Sequence, residues 1–222
     1  MKKRLLLVLA VLLFVLGGCA PAQNTEPCAD ALRFLAEYEA LNGQKNDNGK
    51  LYPVVEVMEN NPMFYATTDE IVRRIEAKEN FLVYFGFAEC PWCRGCLEPF
   101  LASAQEHGID QICYVDIQNE RDKFELQDGR PVRTEEGTAA YTRLLELLEP
   151  VLSDYLLTDD AGIPISTGEK RIYAPNYVAI VDGKPVALAK ESELQADPYA
   201  ELAEEAAADL EQQFENLFQK FR

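Results

Sequence analysis

Six cysteines and a single histidine, His107, limit the chemistry open to this 222-residue chain. One histidine excludes a His-rich metal site and any multi-histidine acid/base machinery, so cysteine is the side chain to follow. Cys90-Pro91-Trp92-Cys93 sets two thiols two residues apart. Proline is favoured at the first position of a helix, where its missing N–H costs nothing, so Pro91 puts Cys90 at the N-cap. There the sulfur accepts hydrogen bonds from the N–H groups of Trp92 and Cys93, and the helix dipole favours negative charge. The thiolate is the nucleophilic form of cysteine, so a lowered pKa at Cys90 predicts an attacking thiol. Arg94 adds a cation to this neighbourhood and Glu89 partly opposes it. The two-residue gap also lets a disulfide close across the first turn.

The same helix carries Cys93, Cys96, Leu97, Phe100, Leu101 and Ala104 on an i, i+3, i+4 stripe. Cys93 is therefore expected to face the core and Cys90 to face outward, which suits a shielded resolving thiol and an exposed attacking one. Trp92, between them, either packs on substrate or covers the disulfide. Cys90, Cys93 and Cys96 also read as CxxCxxC, a ligand spacing for iron–sulfur or zinc. A cluster normally needs four thiolates, and neither the ferredoxin Cys-Pro continuation nor a histidine pair follows, so no metal is expected. Cys96 reads as a buried small hydrophobe, with a secondary thiol relay as its alternative, and Cys113 as core. Cys28 is left free or paired with another chain.

The N-terminus reads as an address. Lys2, Lys3 and Arg4 precede an apolar run from Leu5 to Leu16, which ends at Leu16-Gly17-Gly18-Cys19. A run of that length is short of the roughly 20 residues of a bilayer-spanning helix and suits a signal peptide. Small residues before a cysteine resemble the bacterial lipobox, which implies cleavage after residue 18 and lipid attachment at Cys19; the plainer alternative is a secretory signal. Loss of the three leader cations moves the formal charge from -17 to -20. An acidic surface is repelled by anionic headgroups, so acyl chains rather than a basic patch must hold the chain on the bilayer. The balance of 21 Lys+Arg against 38 Asp+Glu also excludes a nucleic-acid-binding surface. Residues 19–28 have tether composition. Export places the remaining five cysteines in an oxidising environment, where an odd number cannot all pair within one chain.

The elements that would position the thiols follow from periodicity. Residues 29–62 form an N-terminal extension, with a short helix from Ala29 to Leu41 and an edge strand over Tyr52 to Val57. Residues 63–222 form the main domain. A short strand from Met63 to Thr67 precedes a helix opened by a Thr67/Glu70 capping box, with Ile71, Val72 and Ile75 on its buried side. Phe81 to Phe87 reads as a strand buried on both faces. Cys90 to His107 is the thiol-bearing helix, Ile112 to Ile117 another strand, and Thr138 to Tyr155 a helix kinked or split at Pro150. Arg121 to Gly137 reads as a charged loop. Tyr177 to Val181 and Val186 to Ala189 form a hairpin about Asp182-Gly183, and Tyr199 to Phe221 closes the chain as an amphipathic helix. The class is α/β: a mixed central β-sheet flanked by helices, parallel where helices cross over, with a long helical insertion between Gln118 and Ala174.

Phe85-Gly86-Phe87-Ala88-Glu89-Cys90-Pro91-Trp92-Cys93-Arg94 resembles the active-site segment of the thioredoxin-fold superfamily. The lead-in Val83-Tyr84-Phe85-Gly86 is most similar to exported bacterial thioredoxin-like proteins of the bacteriocin transport accessory type. Tyr173-Ala174-Pro175-Asn176-Tyr177 resembles the family's second hallmark, a cis-proline preceding the closing hairpin. The resemblance spans Met63 to Arg222. It implies a thioredoxin-like fold and a catalytic pair, Cys90 and Cys93. It also implies that Ala174 and Pro175 lie against that pair and offer backbone hydrogen bonds to substrate. Two positions depart from the pattern: Tyr84 stands where a buried aspartate is usual, and Glu89 where tryptophan is common.

The function expected is a membrane-anchored, extracytoplasmic thiol–disulfide oxidoreductase. Its partners would be protein thiols and disulfides and a membrane redox partner, and its chemistry calls for no cofactor. The alternative is a non-enzymatic accessory lipoprotein of a secretion or transport system, in which the Cys90–Cys93 bond is structural.

Overall fold

The computed structural model describes residues 26–222. The leader, Cys19 and most of the tether lie outside the described residues. Eight segments build the part that holds the cysteines. They are α1 (Ala29–Glu39), β1 (Met63–Tyr65), α2 (Thr68–Glu76), β2 (Phe81–Gly86), α3 (Pro91–Glu106), β3 (Ile112–Asp116) and, after a long excursion, the hairpin strands β8 (Asn176–Val181) and β9 (Lys184–Lys190). A final helix, α5 (Glu204–Phe221), closes the chain. The excursion contains β4 (Lys123–Gln127), β5 (Arg130–Glu135), α4 (Ala139–Leu148), a 3-10 turn (Glu149–Val151), β6 (Ser153–Thr158) and β7 (Pro164–Arg171).

The central sheet has five strands in the order β1-β3-β2-β8-β9. β1, β3 and β2 run parallel, whereas β8 is antiparallel to β2 and β9 to β8. Side chains alternate across β2 and divide the core in two. Leu82 and Tyr84 join Phe34 of α1, Leu97 and Phe100 of α3 and Phe214 of α5 on one face. Phe81, Val83 and Phe85 join Ile71 and Ile75 of α2 and Tyr141, Leu144 and Leu148 of α4 on the other. Both faces are thus covered, which is why β2 is a continuous apolar run rather than an alternating one.

Local chemistry fixes the element ends. The Thr67 side chain accepts from the Glu70 N–H at 3.2 Å while the Glu70 carboxylate accepts from the Thr67 N–H at 2.8 Å, the capping box read in the sequence. Asp182 and Gly183 both have positive φ, 51° and 67°, the pairing that a two-residue turn of matching twist requires. Gly183 is doubly constrained, because a Cβ there would run into the Ile75 carbonyl at the end of α2.

Four expectations need correction. Residues 52–57 form no strand: the Val55 N–H donates to the Asn42 side chain at 3.1 Å, the Glu56 N–H to Glu98 at 2.8 Å and the Val57 N–H to Glu39 at 3.0 Å. With those donors taken by side chains, no ladder forms. The helix after Thr138 ends at Leu148 and does not resume beyond Pro150; Leu152 is extended yet still buried beside Leu144 and Leu148, so the apolar period outlives the helix. The excursion is therefore not a helical crossover, since most of it is two antiparallel hairpins around one helix. It returns the chain to the end of the sheet it left, so β8 enters antiparallel to β2 rather than parallel. Finally, the charged stretch after Arg121 is the β4–β5 hairpin, turning at Asp128-Gly129 with φ values of 51° and 72°.

Candidate active site

Cys90 sits at the N-cap of α3 in extended conformation, φ -75° and ψ 115°, with Pro91 opening the helix. Its sulfur accepts from the Cys93 N–H at 3.3 Å, as proline placement predicts. Cys93 follows one turn later with its side chain in the core shared by β2, α3 and α5, fully buried. The expected outward face of Cys90 is corrected: only 5% of the residue is exposed. Ala174 covers it, the Cys90 thiol donating to the Ala174 carbonyl at 3.2 Å. The sequence-distant segment Ala174-Pro175, joined by a cis peptide bond, therefore lies against the first cysteine.

That segment is held by Asn176, itself buried at the start of β8. Its side-chain oxygen accepts from the Tyr173 N–H at 2.9 Å and its amide nitrogen donates to the Pro175 carbonyl at 2.9 Å. Asn176 was not singled out in the sequence; the signal was a polar residue opening an otherwise apolar strand, where it must find internal partners.

The two thiols titrate in opposite directions. A hydrogen bond from the Cys93 thiol draws Cys90 below the ordinary thiol range, helped by the N–H groups of Cys93 and Trp92 and by the Arg121 charge, while burial opposes. Burial drives Cys93 well above that range, and the adjacent Cys90 adds to the rise. The cation that acts on Cys90 is Arg121, not the neighbouring Arg94. Arg121 lies at the entrance to the β4–β5 hairpin, its guanidinium 5.3 Å from the centre of the Phe87 ring. Arg94 turns into the N-terminal extension. It donates to the carbonyls of Pro53, Tyr38 and Ala88 at 2.6, 2.8 and 3.2 Å and to the Asn42 side chain at 2.7 Å.

Trp92 is half-buried and lines a narrow cleft of about 30 Å3 with Pro91, Cys96, Glu191, Leu202 and Leu210. It thus rests against the C-terminal segment. Cys96 is buried on the α3 stripe, and burial raises its thiol too. Cys113 is buried on the other sheet face, with Arg74 donating to its sulfur at 2.7 Å. Cys28 is exposed and caps α1, accepting from the Ala31 N–H at 3.3 Å. His107 ends α3 and bonds Glu215 of α5 at 2.8 Å, a helix length from Cys90. Among the described residues no group of three His, Cys, Asp or Glu side chains converges as a metal site, and no helix is long and apolar enough to cross a membrane. A cavity of about 730 Å3 lies at the opposite end of the sheet beside Phe81 and Cys113 and touches neither site cysteine.

The fold and site together define a mixed α/β protein with a buried cysteine pair at a helix N-terminus, closed over by a cis-proline loop. No family model matches the chain, and no curated protein matches it.

Proposed function

We propose that the chain is an extracytoplasmic, lipid-anchored thiol–disulfide oxidoreductase of thioredoxin-like fold. The observation that carries this reading is the asymmetry of the pair: Cys90 at the α3 N-cap is drawn toward the thiolate, and Cys93 one turn inward is held as the thiol. The fold assignment rests on the β1-β3-β2-β8-β9 order and on Ala174-Pro175 lying against Cys90, the placement that the resemblance implies. Anchoring rests on the Leu16-Gly17-Gly18-Cys19 sequence alone.

The Cys90 thiolate attacks one sulfur of a partner disulfide. That S–S bond breaks, the partner's other sulfur leaves with the electron pair and takes up a proton, and a Cys90–partner disulfide forms. Cys93 then gives up its proton and attacks the Cys90 sulfur. The Cys90–Cys93 bond closes and the second partner sulfur departs as a thiol. Two electrons pass from the dithiol to the partner; the reverse sequence oxidises a partner dithiol, and a membrane redox partner resets the pair. Ala174 and Pro175 border the attacked sulfur and offer backbone to the partner strand, with Trp92 flanking it. Exchange with a protein disulfide tests this: Cys90→Ser abolishes it and Cys93→Ser accumulates the mixed disulfide. Exchange surviving Cys90→Ser rejects the mechanism.

The 5% exposure of Cys90 favours a second reading, an accessory lipoprotein whose Cys90–Cys93 disulfide is structural. A redox titration separates the two, because a potential far below about -300 mV belongs to a structural bond.

A further inference from the structure

Tyr84 stands on β2, fully buried, on the sheet face that also receives Cys93. Its ring stacks on Tyr177 at 4.7 Å and 13°. It lies along its own strand over Gly86, where a Cβ would collide with the hydroxyl and the ring carbons beside it. Gly86 is thus the vacancy that lets the Tyr84 hydroxyl reach toward the cysteine-bearing end of β2. That hydroxyl is 2.8 Å from the hydroxyl of Tyr38, which α1 brings in from the N-terminal extension and which is itself fully buried. Arg94, the neighbour of Cys93, donates to the Tyr38 carbonyl at 2.8 Å and ties α1 to the first turn of α3.

Each hydroxyl carries one hydrogen, and a buried hydrogen without an acceptor is costly. When Tyr38 donates to Tyr84, the Tyr84 hydrogen is free to point at the Cys93 sulfur. Burial raises both phenols well above their ordinary value, so both stay neutral and neither takes up the Cys93 proton as a phenolate base. A hydrogen bond from Tyr84 would work against the burial that holds Cys93 protonated.

We infer that Tyr84, oriented by Tyr38, is the positioning residue of the resolving step, donating its hydroxyl hydrogen to the Cys93 sulfur as that sulfur attacks the mixed disulfide on Cys90. This rests on the thiol-exchange reading above. In that step the Cys93 proton goes to the departing partner sulfur, the Cys90–partner bond breaks and the Cys90–Cys93 bond forms. Tyr84 keeps its own proton throughout. The N-terminal extension then belongs to the site, since it supplies Tyr38.

The reduced protein in a Cys19→Ser, Cys28→Ser background, which removes the exposed Cys28 thiol and that of Cys19, reacts with an aryl disulfide, dithiobis-nitrobenzoate, and separates the two attacks. The first equivalent of thionitrobenzoate reports Cys90 and the second reports Cys93. Tyr84→Phe leaves the first release within about twofold and slows the second about tenfold at neutral pH, the effect of one hydrogen bond to a charged atom. It also moves the pH midpoint of the second release upward. Tyr38→Phe shifts both readings of the second release in the same direction by less, and it decides alone if Tyr84→Phe does not fold. A second release unchanged in rate and midpoint, or both releases slowed equally, overturns the inference. The same background with both tyrosines intact releasing no second equivalent overturns the thiol-exchange reading itself, which the tyrosine variants cannot mimic.

Discussion

The Cys90 sulfur lies 3.2 Å from the carbonyl oxygen of Ala174, joining the first turn of α3 to the loop that opens β8. A carbonyl accepts a hydrogen bond from a thiol and has none to give to a thiolate. Ionisation of Cys90 therefore gives up the Ala174 bond and strengthens those from the N–H groups of Cys93 and Trp92 and from the Cys93 thiol, all of which favour the charged form. The Cys93 N–H already reaches the sulfur at 3.3 Å, so the two protonation states differ chiefly at the Ala174 carbonyl.

Alkylation should follow that division. With limiting iodoacetamide at neutral pH, Cys90 is modified ahead of the other buried cysteines and Cys93 only after unfolding, as read by peptide mass spectrometry. The Cys90 rate falls as pH drops through its lowered pKa. Arg121→Gln moves that midpoint upward, because it removes the charge that stabilises the thiolate, and the difference from wild type disappears at alkaline pH where both are ionised. Equal labelling of Cys90 and Cys93 in the folded protein would count against the assigned roles.

Anchoring is tested separately. Cells expressing the full chain incorporate radiolabelled palmitate, and Cys19→Ala abolishes the label; label that persists in the variant excludes the lipid attachment read from Leu16-Gly17-Gly18-Cys19.

Arg94 is 2% exposed and has four hydrogen bonds to oxygen atoms of the N-terminal extension and of the loop before α3. Arg94→Leu strands these acceptors out of reach of water, and should destabilise the fold by about 3 kcal/mol or more in urea unfolding. Arg94→Lys recovers little, because a single ammonium cannot span the fork of the guanidinium. A loss below about 0.5 kcal/mol would mean that the extension holds its place without this anchor.

Sequence reasoning read Arg94 as a charge near Cys90 because adjacency in sequence was all it had. Arg94 stands one helical turn after Cys90, but the carbonyls of Pro53, Tyr38 and Ala88 and the Asn42 side chain draw its guanidinium into the N-terminal extension, and the effective cation, Arg121, comes from a separate hairpin. The pair itself was legible, since a strand, a proline-started helix and the gap between thiols are local signals. So was the sheet face of β2, and the Thr67/Glu70 cap. The β4–β5 hairpin carried a readable signal, Asp128-Gly129, that the surrounding charge obscured. The antiparallel entry of β8 and the covering of Cys90 by Ala174 depend on how the excursion returns, which no local pattern encodes.

Thiol ionisation also sets the response of the reduced fold to pH. Burial raises Cys93, Cys96 and Cys113 above the ordinary thiol value of 9.0. Above that value the unfolded chain releases protons that the folded chain keeps, so the stability these three contribute is whole below it and is lost as pH rises. Each costs about 1.4 kcal/mol per pH unit over its own window. Cys90 runs the other way: its folded value is lowered, so its contribution is present above the ordinary thiol value and is lost as pH falls through the folded one. For the thiols alone, stability should therefore climb toward the ordinary thiol value and drop beyond it. Urea unfolding of the reduced protein between about pH 7 and pH 10 reads this directly. Cys90→Ser removes the rising limb, Cys93→Val shallows the falling one, and a flat profile above the ordinary thiol value would show that the buried thiols ionise without cost.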